Sequence, residues 1–152
     1  MTICVENREC LFGEIVDGRM RLSDMGNIVS EEWIKTAEIR SQVNLDEWVV
    51  MPNHFHGIVM ISRRDTARRV PVVEQFGKPV PGSIPTIIRA FKSAATKHVN
   101  ESRMTPGAKL WQRNYWEHII RDEPELIRIR EYIRNNPAQW ETDTLHPCYR
   151  PR

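Results

Sequence analysis

Val49-Val50-Met51-Pro52-Asn53-His54-Phe55-His56-Gly57-Ile58-Val59-Met60-Ile61 is the stretch that decides the fold. An apolar strand runs into a tight turn at Pro52-Asn53, and a second apolar strand leaves it. Proline suits the turn because it cannot donate to a strand ladder. The second strand opens with two histidines separated by one bulky hydrophobe. Side chains alternate faces along a strand, so His54 and His56 point the same way while Phe55 enters the opposite layer. Two imidazoles on one rigid face supply two ligands of a metal site, although a bare His-x-His is also an ordinary feature of strands.

The flanking chain fills in around this hairpin. Val43 to Met51 is its first strand and His54 to Ser62 its second. Upstream, Thr2 to Glu6 is a short β-prone run, and residues 11–23 read as a loop or small hairpin with a turn at Asp17-Gly18. A helical pattern starts at Ser23 or Asp24 and runs to about Arg40, with Ile28, Trp33, Ile34 and Ala37 in its apolar stripe. Downstream, residues 63–82 hold an arginine cluster, prolines and glycines, and are expected to form a mobile basic loop; a plain insertion is the bland alternative. Ser83 to about Ser102 is expected to form a second helix that buries Ile84, Ile87, Ile88, Phe91, Ala94, Ala95 and Val99 and turns basic residues outward. Lys109 to about Arg121 is expected to be a fourth strand of the main sheet. Asp122 then caps a third helix, with Pro124 and Glu125 in its first turn. That helix is expected to stop at Asn135-Asn136-Pro137. The order β-α-β-β-α-β-α predicts an α+β fold of the ferredoxin-like, split βαβ type: an antiparallel sheet with helices packed on it and a C-terminal helix carrying a tyrosine.

Composition narrows the class. The 152 residues suit a single domain over 1–152, and 40% hydrophobic with 28% charged residues is ordinary for a globular protein. The net charge of +2 excludes little by itself. The three cysteines, Cys4, Cys10 and Cys148, lack metal-binding spacing, which argues against a disulfide framework or thiolate zinc site. With no run of about 18 apolar residues, no membrane partner is expected, and the expected location is cytoplasmic, in association with the nucleoid.

On the third helix, Tyr132 and Asn136 stand at i and i+4, on one face. An amide oxygen there would complete a His-His-Asn metal site, and the tyrosine would be a nucleophile beside it. Taken alone, each has a plainer reading: a half-buried helix residue and a helix stop. Tyr115 is the rival nucleophile and His118 a possible accessory ligand or proton shuttle, but in a strand these two would fall on opposite faces.

The chain resembles the REP-associated tyrosine transposases, relatives of the single-tyrosine HUH transposases. The resemblance rests on Leu11-Phe12-Gly13, on Trp48 to Gly57, on Phe91-Lys92-Ser93, on Trp111-Gln112-Arg113-Asn114-Tyr115-Trp116-Glu117-His118-Ile119-Ile120-Arg121 and on Arg130-Glu131-Tyr132-Ile133-Arg134-Asn135-Asn136-Pro137, in this order. It implies a nuclease in which His54, His56 and Asn136 bind a divalent ion, Mg²⁺ or Mn²⁺. Tyr132 would attack a phosphate of single-stranded DNA, giving a 5′-phosphotyrosine link and a free 3′-OH. Imidazole and amide ligands suit Mn²⁺ or Zn²⁺ better than Mg²⁺. The implied partner is single-stranded or hairpin DNA carrying palindromic repeats, bound by a monomer or homodimer. Arg63, Arg64, Arg68, Arg69, Arg89, Lys92 and Lys97 are candidate phosphate contacts, and Trp111, Trp116 and Trp140 candidate stacking surfaces. Relatives carry more residues before the equivalent of Thr2, so the first strand looks short. Two rival functions are a non-catalytic nucleic-acid-binding domain on the same fold and a zinc hydrolase built on His54, His56 and His118.

Overall fold

The structure is a computed structural model that describes residues 1–62 and 80–149. The expected mobile basic loop lies largely outside the described residues, and with it Arg63, Arg64, Arg68 and Arg69.

Strand β1 (Thr2–Cys4) is followed by a small hairpin, β2 (Gly13–Val16) and β3 (Arg19–Leu22). Helix α1 (Asp24–Glu38) starts where Ser23 accepts a hydrogen bond from the Gly26 N–H. Strands β4 (Val43–Met51) and β5 (His54–Ile61) form the central hairpin. Helix α2 (Ile84–Arg103) is capped by Ser83, and helix α3 (Glu123–Asn135) by Asp122. A 3-10 turn over Pro137–Thr142 completes the order. Among the described residues, no helix is long and apolar enough to cross a membrane.

The main sheet runs β1-β5-β4, all antiparallel. Beyond β1, the expected fourth strand is reduced to two isolated antiparallel bridges, Thr2 with Trp116 and Val5 with Trp111. The pairing slips between them: two residues, Ile3 and Cys4, face four, Gln112 to Tyr115, so no continuous ladder forms. The strand neighbours are nevertheless those of a ferredoxin-like sheet, with β1 and β5 central. The short β1 is fully used, because all three residues pair with β5.

The two faces of the sheet differ. Ile3, Val50 and Phe55 point into a layer closed by α1 and α2, where Trp33, Phe91, Ile88, Ala95 and Val99 bury fully or nearly so. The Trp33 ring lies 4.8 Å from Phe55 and 5.1 Å from Phe91, the spacing of tilted and edge-on aromatic pairs. Gly57 makes this approach possible: a Cβ there would meet the Phe55 ring at 2.8 Å and the Trp33 ring at 3.1 Å.

Helix α3 crosses the other face, against β4. Its one buried residue is Ile133, so apolar burial alone holds it weakly. Two ion pairs add to it. Arg130 grips Asp46 in a bidentate pair at 2.7 and 2.5 Å, and Arg134 bonds Glu47. The register of β4 on β5 shifts between Leu45 and Trp48, a bulge that holds Asp46 and Glu47. Neighbouring residues of a regular strand face opposite ways; the bulge lets both carboxylates meet one helix.

Candidate metal and nucleophile site

The hairpin register puts His54 and His56 on the α3 face, as the alternation predicts, and both are buried. Their Nε2 atoms lie 3.0 Å apart. The outer nitrogens are anchored separately. Asn53 Nδ2 donates to the carbonyls of Leu145 (2.8 Å) and Arg8 (3.3 Å), so its Oδ1 is the acceptor that meets His54 Nδ1 at 2.8 Å. His54 therefore carries its proton on Nδ1 and presents a lone pair at Nε2. His56 Nδ1 lies 2.8 Å from the Thr2 hydroxyl, which can donate or accept and so tolerates either tautomer.

Helix α3 brings Tyr132 and Asn136 to this pair. The Tyr132 ring sits 5.3 Å from the His56 ring, edge to face, with the residue 48% exposed. Asn136 is buried, and its Nδ2 donates to Asp143 Oδ2 at 3.2 Å. Pro137 ends α3 as expected, but Asn136 stays helical (φ −56°, ψ −42°) and the chain winds on into the 3-10 turn. Proline is well placed to start such a turn because its missing N–H is not needed there. The turn sets Trp140 against His54, ring centroids 5.9 Å apart, and delivers Asp143.

Asp143 is the site residue that sequence reasoning missed. Its Oδ2 lies 3.9 Å from His54 Nε2, and ligand atoms of His54, His56 and Asp143 all fall within 4.8 Å of one another. A signal for it existed: Tyr132, Asn136, Trp140 and Asp143 follow at i, i+4, i+8 and i+11, one stripe of a helix that continues past the proline. Thr2 and Asn53, the partners of the outer nitrogens, carry no comparable sequence signal.

The residues fit a divalent cation. Asn136 Oδ1 is buried without a hydrogen-bond partner, an expensive state that a cation would relieve. Two neutral imidazoles, a carboxylate and an amide oxygen form a mixed nitrogen–oxygen donor set. Electrostatics keep the imidazoles neutral: burial pushes His54 down to about 4, against the raising pull of Asp143 and Asn136. Burial, then the neighbouring His54, hold His56 well below its ordinary value. Burial and the Asp143 charge push the Tyr132 phenol up, and the Asn136 amide offsets them in part.

Other candidates lie elsewhere. Tyr115 packs against the core cluster, on the face opposite the histidines, and its hydroxyl donates to Glu117 at 3.2 Å. His118 bonds Glu125 at 2.7 Å and is absent from the ligand cluster. Arg89, Lys92 and Lys97 belong to α2, which closes the core face. Lys92 donates to the carbonyls of Gln112 (2.7 Å) and Arg113 (3.2 Å), stitching that segment to the helix.

Comparison with known proteins follows the same lines. No protein-family model matches the sequence. An uncharacterized protein of Haemophilus influenzae is 40% identical over 151 residues, covering 96% of this chain and 83% of that protein. A second Haemophilus influenzae protein, provisionally named a REP-associated tyrosine transposase, is 28% identical over 93 residues; the match spans 59% of this chain and 47% of that one. Among solved structures, a REP-associated tyrosine transposase bound to a REP hairpin superposes with a TM-score of 0.60 at 21% identity, covering 91% of this chain and 64% of the solved one. The chain thus belongs to one family with the uncharacterized Haemophilus influenzae protein, and its resemblance to the REP-associated tyrosine transposases holds in sequence and in fold.

Proposed function

We propose that this chain is a transposase-like DNA-binding protein and, more specifically, a metal-dependent single-stranded DNA endonuclease and strand transferase. The observation that carries the reading is the position of Tyr132: half exposed, against His56, one helical turn from an Asn136 whose buried amide oxygen lacks a partner. The hairpin bound in the solved neighbour supports hairpin DNA as the substrate.

In this reading His54, His56, Asn136 and Asp143 hold the cation. A bound divalent cation would polarise the scissile phosphate and offset the Asp143 charge that now raises the phenol pKa. The side chains do the rest. Asn53 and Thr2 hold the imidazoles with Nε2 inward. Asn136 positions Asp143. Tyr132 Oη attacks phosphorus; the new O–P bond forms as the P–O3′ bond breaks, and the phenolic proton ends on the departing 3′ oxygen. Attack of a 3′-OH on the phosphotyrosine reverses the step, reseals DNA and restores the phenol. Bond energy is kept in the ester, so joining needs no nucleotide cofactor.

A labelled stem-loop DNA with single-stranded flanks, mixed with protein and Mn²⁺ and run on a denaturing gel, tests this. Wild type and Tyr115→Phe should give a covalent band, and Tyr132→Phe none. A band lost only in Tyr115→Phe would move the nucleophile. Tight binding with no band from any variant would favour a non-catalytic binding domain.

A further inference from the structure

Of the three tryptophans that offer stacking surfaces, two are closed. Trp111 is 6% and Trp140 8% exposed, whereas Trp116 is 63% exposed. Its place is set by backbone pairing: Trp116 N donates to Thr2 O at 2.9 Å, and Thr2 N to Trp116 O at 2.8 Å. Directly opposed residues of antiparallel neighbours share a face. Thr2 is opposed to Trp116 on one side and to His56 on the other. Trp116, Thr2 and His56 therefore line up across the sheet on the histidine face. At ~4.8 Å per strand, Trp116 begins ~10 Å from His56.

One side of the indole is braced. The His118 ring stacks on it, centroids 5.8 Å apart and planes 8° from parallel. His118 is held by Glu125 Oε1, and Glu125 Oε2 accepts the Arg121 N–H at 3.0 Å. Glu125 sits in the first turn of α3, the helix that carries Tyr132 two turns on. A fixed, exposed indole at this edge contributes nothing to the core. Flat π surface, rigid backing and continuity with the nucleophile's face suit an unpaired nucleobase.

We propose that Trp116, backed by His118, stacks an unpaired base of the DNA strand whose phosphate enters the His54/His56 site. The inference rests on the DNA reading above and adds the residue that grips the single-stranded part. His118 is then a positioning residue, which explains why it stands apart from the metal ligands.

The test compares two fluorescein-labelled stem-loops by anisotropy, one with a single-stranded 5′ tail of mixed sequence and one whose tail is abasic. Wild type should bind the tailed stem-loop more tightly than the abasic one. Trp116→Ala should lose affinity for the tailed DNA by roughly 5- to 150-fold. Its affinity for the abasic DNA should match wild type, and Trp116→Phe should recover most of the loss. His118→Ala should give a smaller loss in the same direction. Wild-type binding of tailed DNA that is unchanged in Trp116→Ala overturns the platform alone. Equal loss on both DNAs, or loss of a dimer by sedimentation with no change in tail binding, also overturns it; the latter makes the face a contact between copies. Failure of wild type to bind either stem-loop removes the DNA reading and the platform with it.

Discussion

The two faces of the central sheet solve different problems with the same strands. On one, Phe55, Val50 and Ile3 meet α1 and α2 across interlocked aromatic rings. On the other, His54 and His56 meet a helix with a single buried apolar residue, tied down by Arg130–Asp46 and Arg134–Glu47. Hydrophobic area is non-directional and stabilises; hydrogen bonds and ion pairs are directional and position. The core face accordingly holds the fold together and the α3 face places reactive atoms. The α3 face also carries two buried neutral imidazoles and an unpartnered amide oxygen, while the core face leaves the indole N–H groups of Trp33 and Trp111 without a partner.

That division can be broken from the core side first. Trp33→Ala removes a fully buried indole between Phe55 and Phe91 and should cost about 3–5 kcal/mol, read as a lowered urea midpoint. If metal binding to the variant that remains folded, measured by calorimetry, is unchanged, the faces are independent; a parallel loss would couple them.

From the other side, Asp143→Ala should weaken Mn²⁺ binding by no less than the ~10- to 100-fold that loss of an outer-shell partner costs. Stability without metal should fall by only about 1–3 kcal/mol, because Asn136 Nδ2 and the Leu145 N–H lose their acceptor. A larger loss of metal-free stability would make Asp143 chiefly a structural cap for the Leu145 N–H.

The smallest effect is an acid-induced one. The Arg130 hydrogen bonds hold Asp46 below its ordinary value. The native state then binds that proton less readily than the unfolded chain, so the pair stabilises fully above the unfolded value of about 4 and is lost as pH falls through the lower folded value. Amide protection factors in α3 should therefore fall at acid pH before those in α2 do. Arg130→Met should abolish that difference.

Much of this was legible beforehand, and the reasons are local. Alternation along His54-Phe55-His56 assigns faces without any tertiary knowledge. Ser23, Ser83 and Asp122 announce three helices because a side-chain acceptor is needed at each first turn. Asp143 was hidden because Pro137 reads as a stop, and only the structure shows Asn136 remaining helical so that the stripe continues to the carboxylate. Thr2 and Asn53 have no sequence signal, since their partners are chosen by strand register and by a loop that returns from Leu145. Lys109 to about Arg121 reads as a strand because it is rich in aromatic and branched apolar residues, yet the slipped register leaves only two bridges.

The sequence by itself determined the hairpin, which residues of it face together, the helix caps and the i, i+4 pairing of Tyr132 with Asn136. These follow from periodicities of the backbone that act over a few residues. Tertiary structure alone decided that Asp46 and Glu47 share a bulge and hold α3, that Asp143 joins the histidines, and that Trp116 stands in line with His56. Each of these depends on register between segments far apart in the chain, and register is set by what packs, not by what is adjacent.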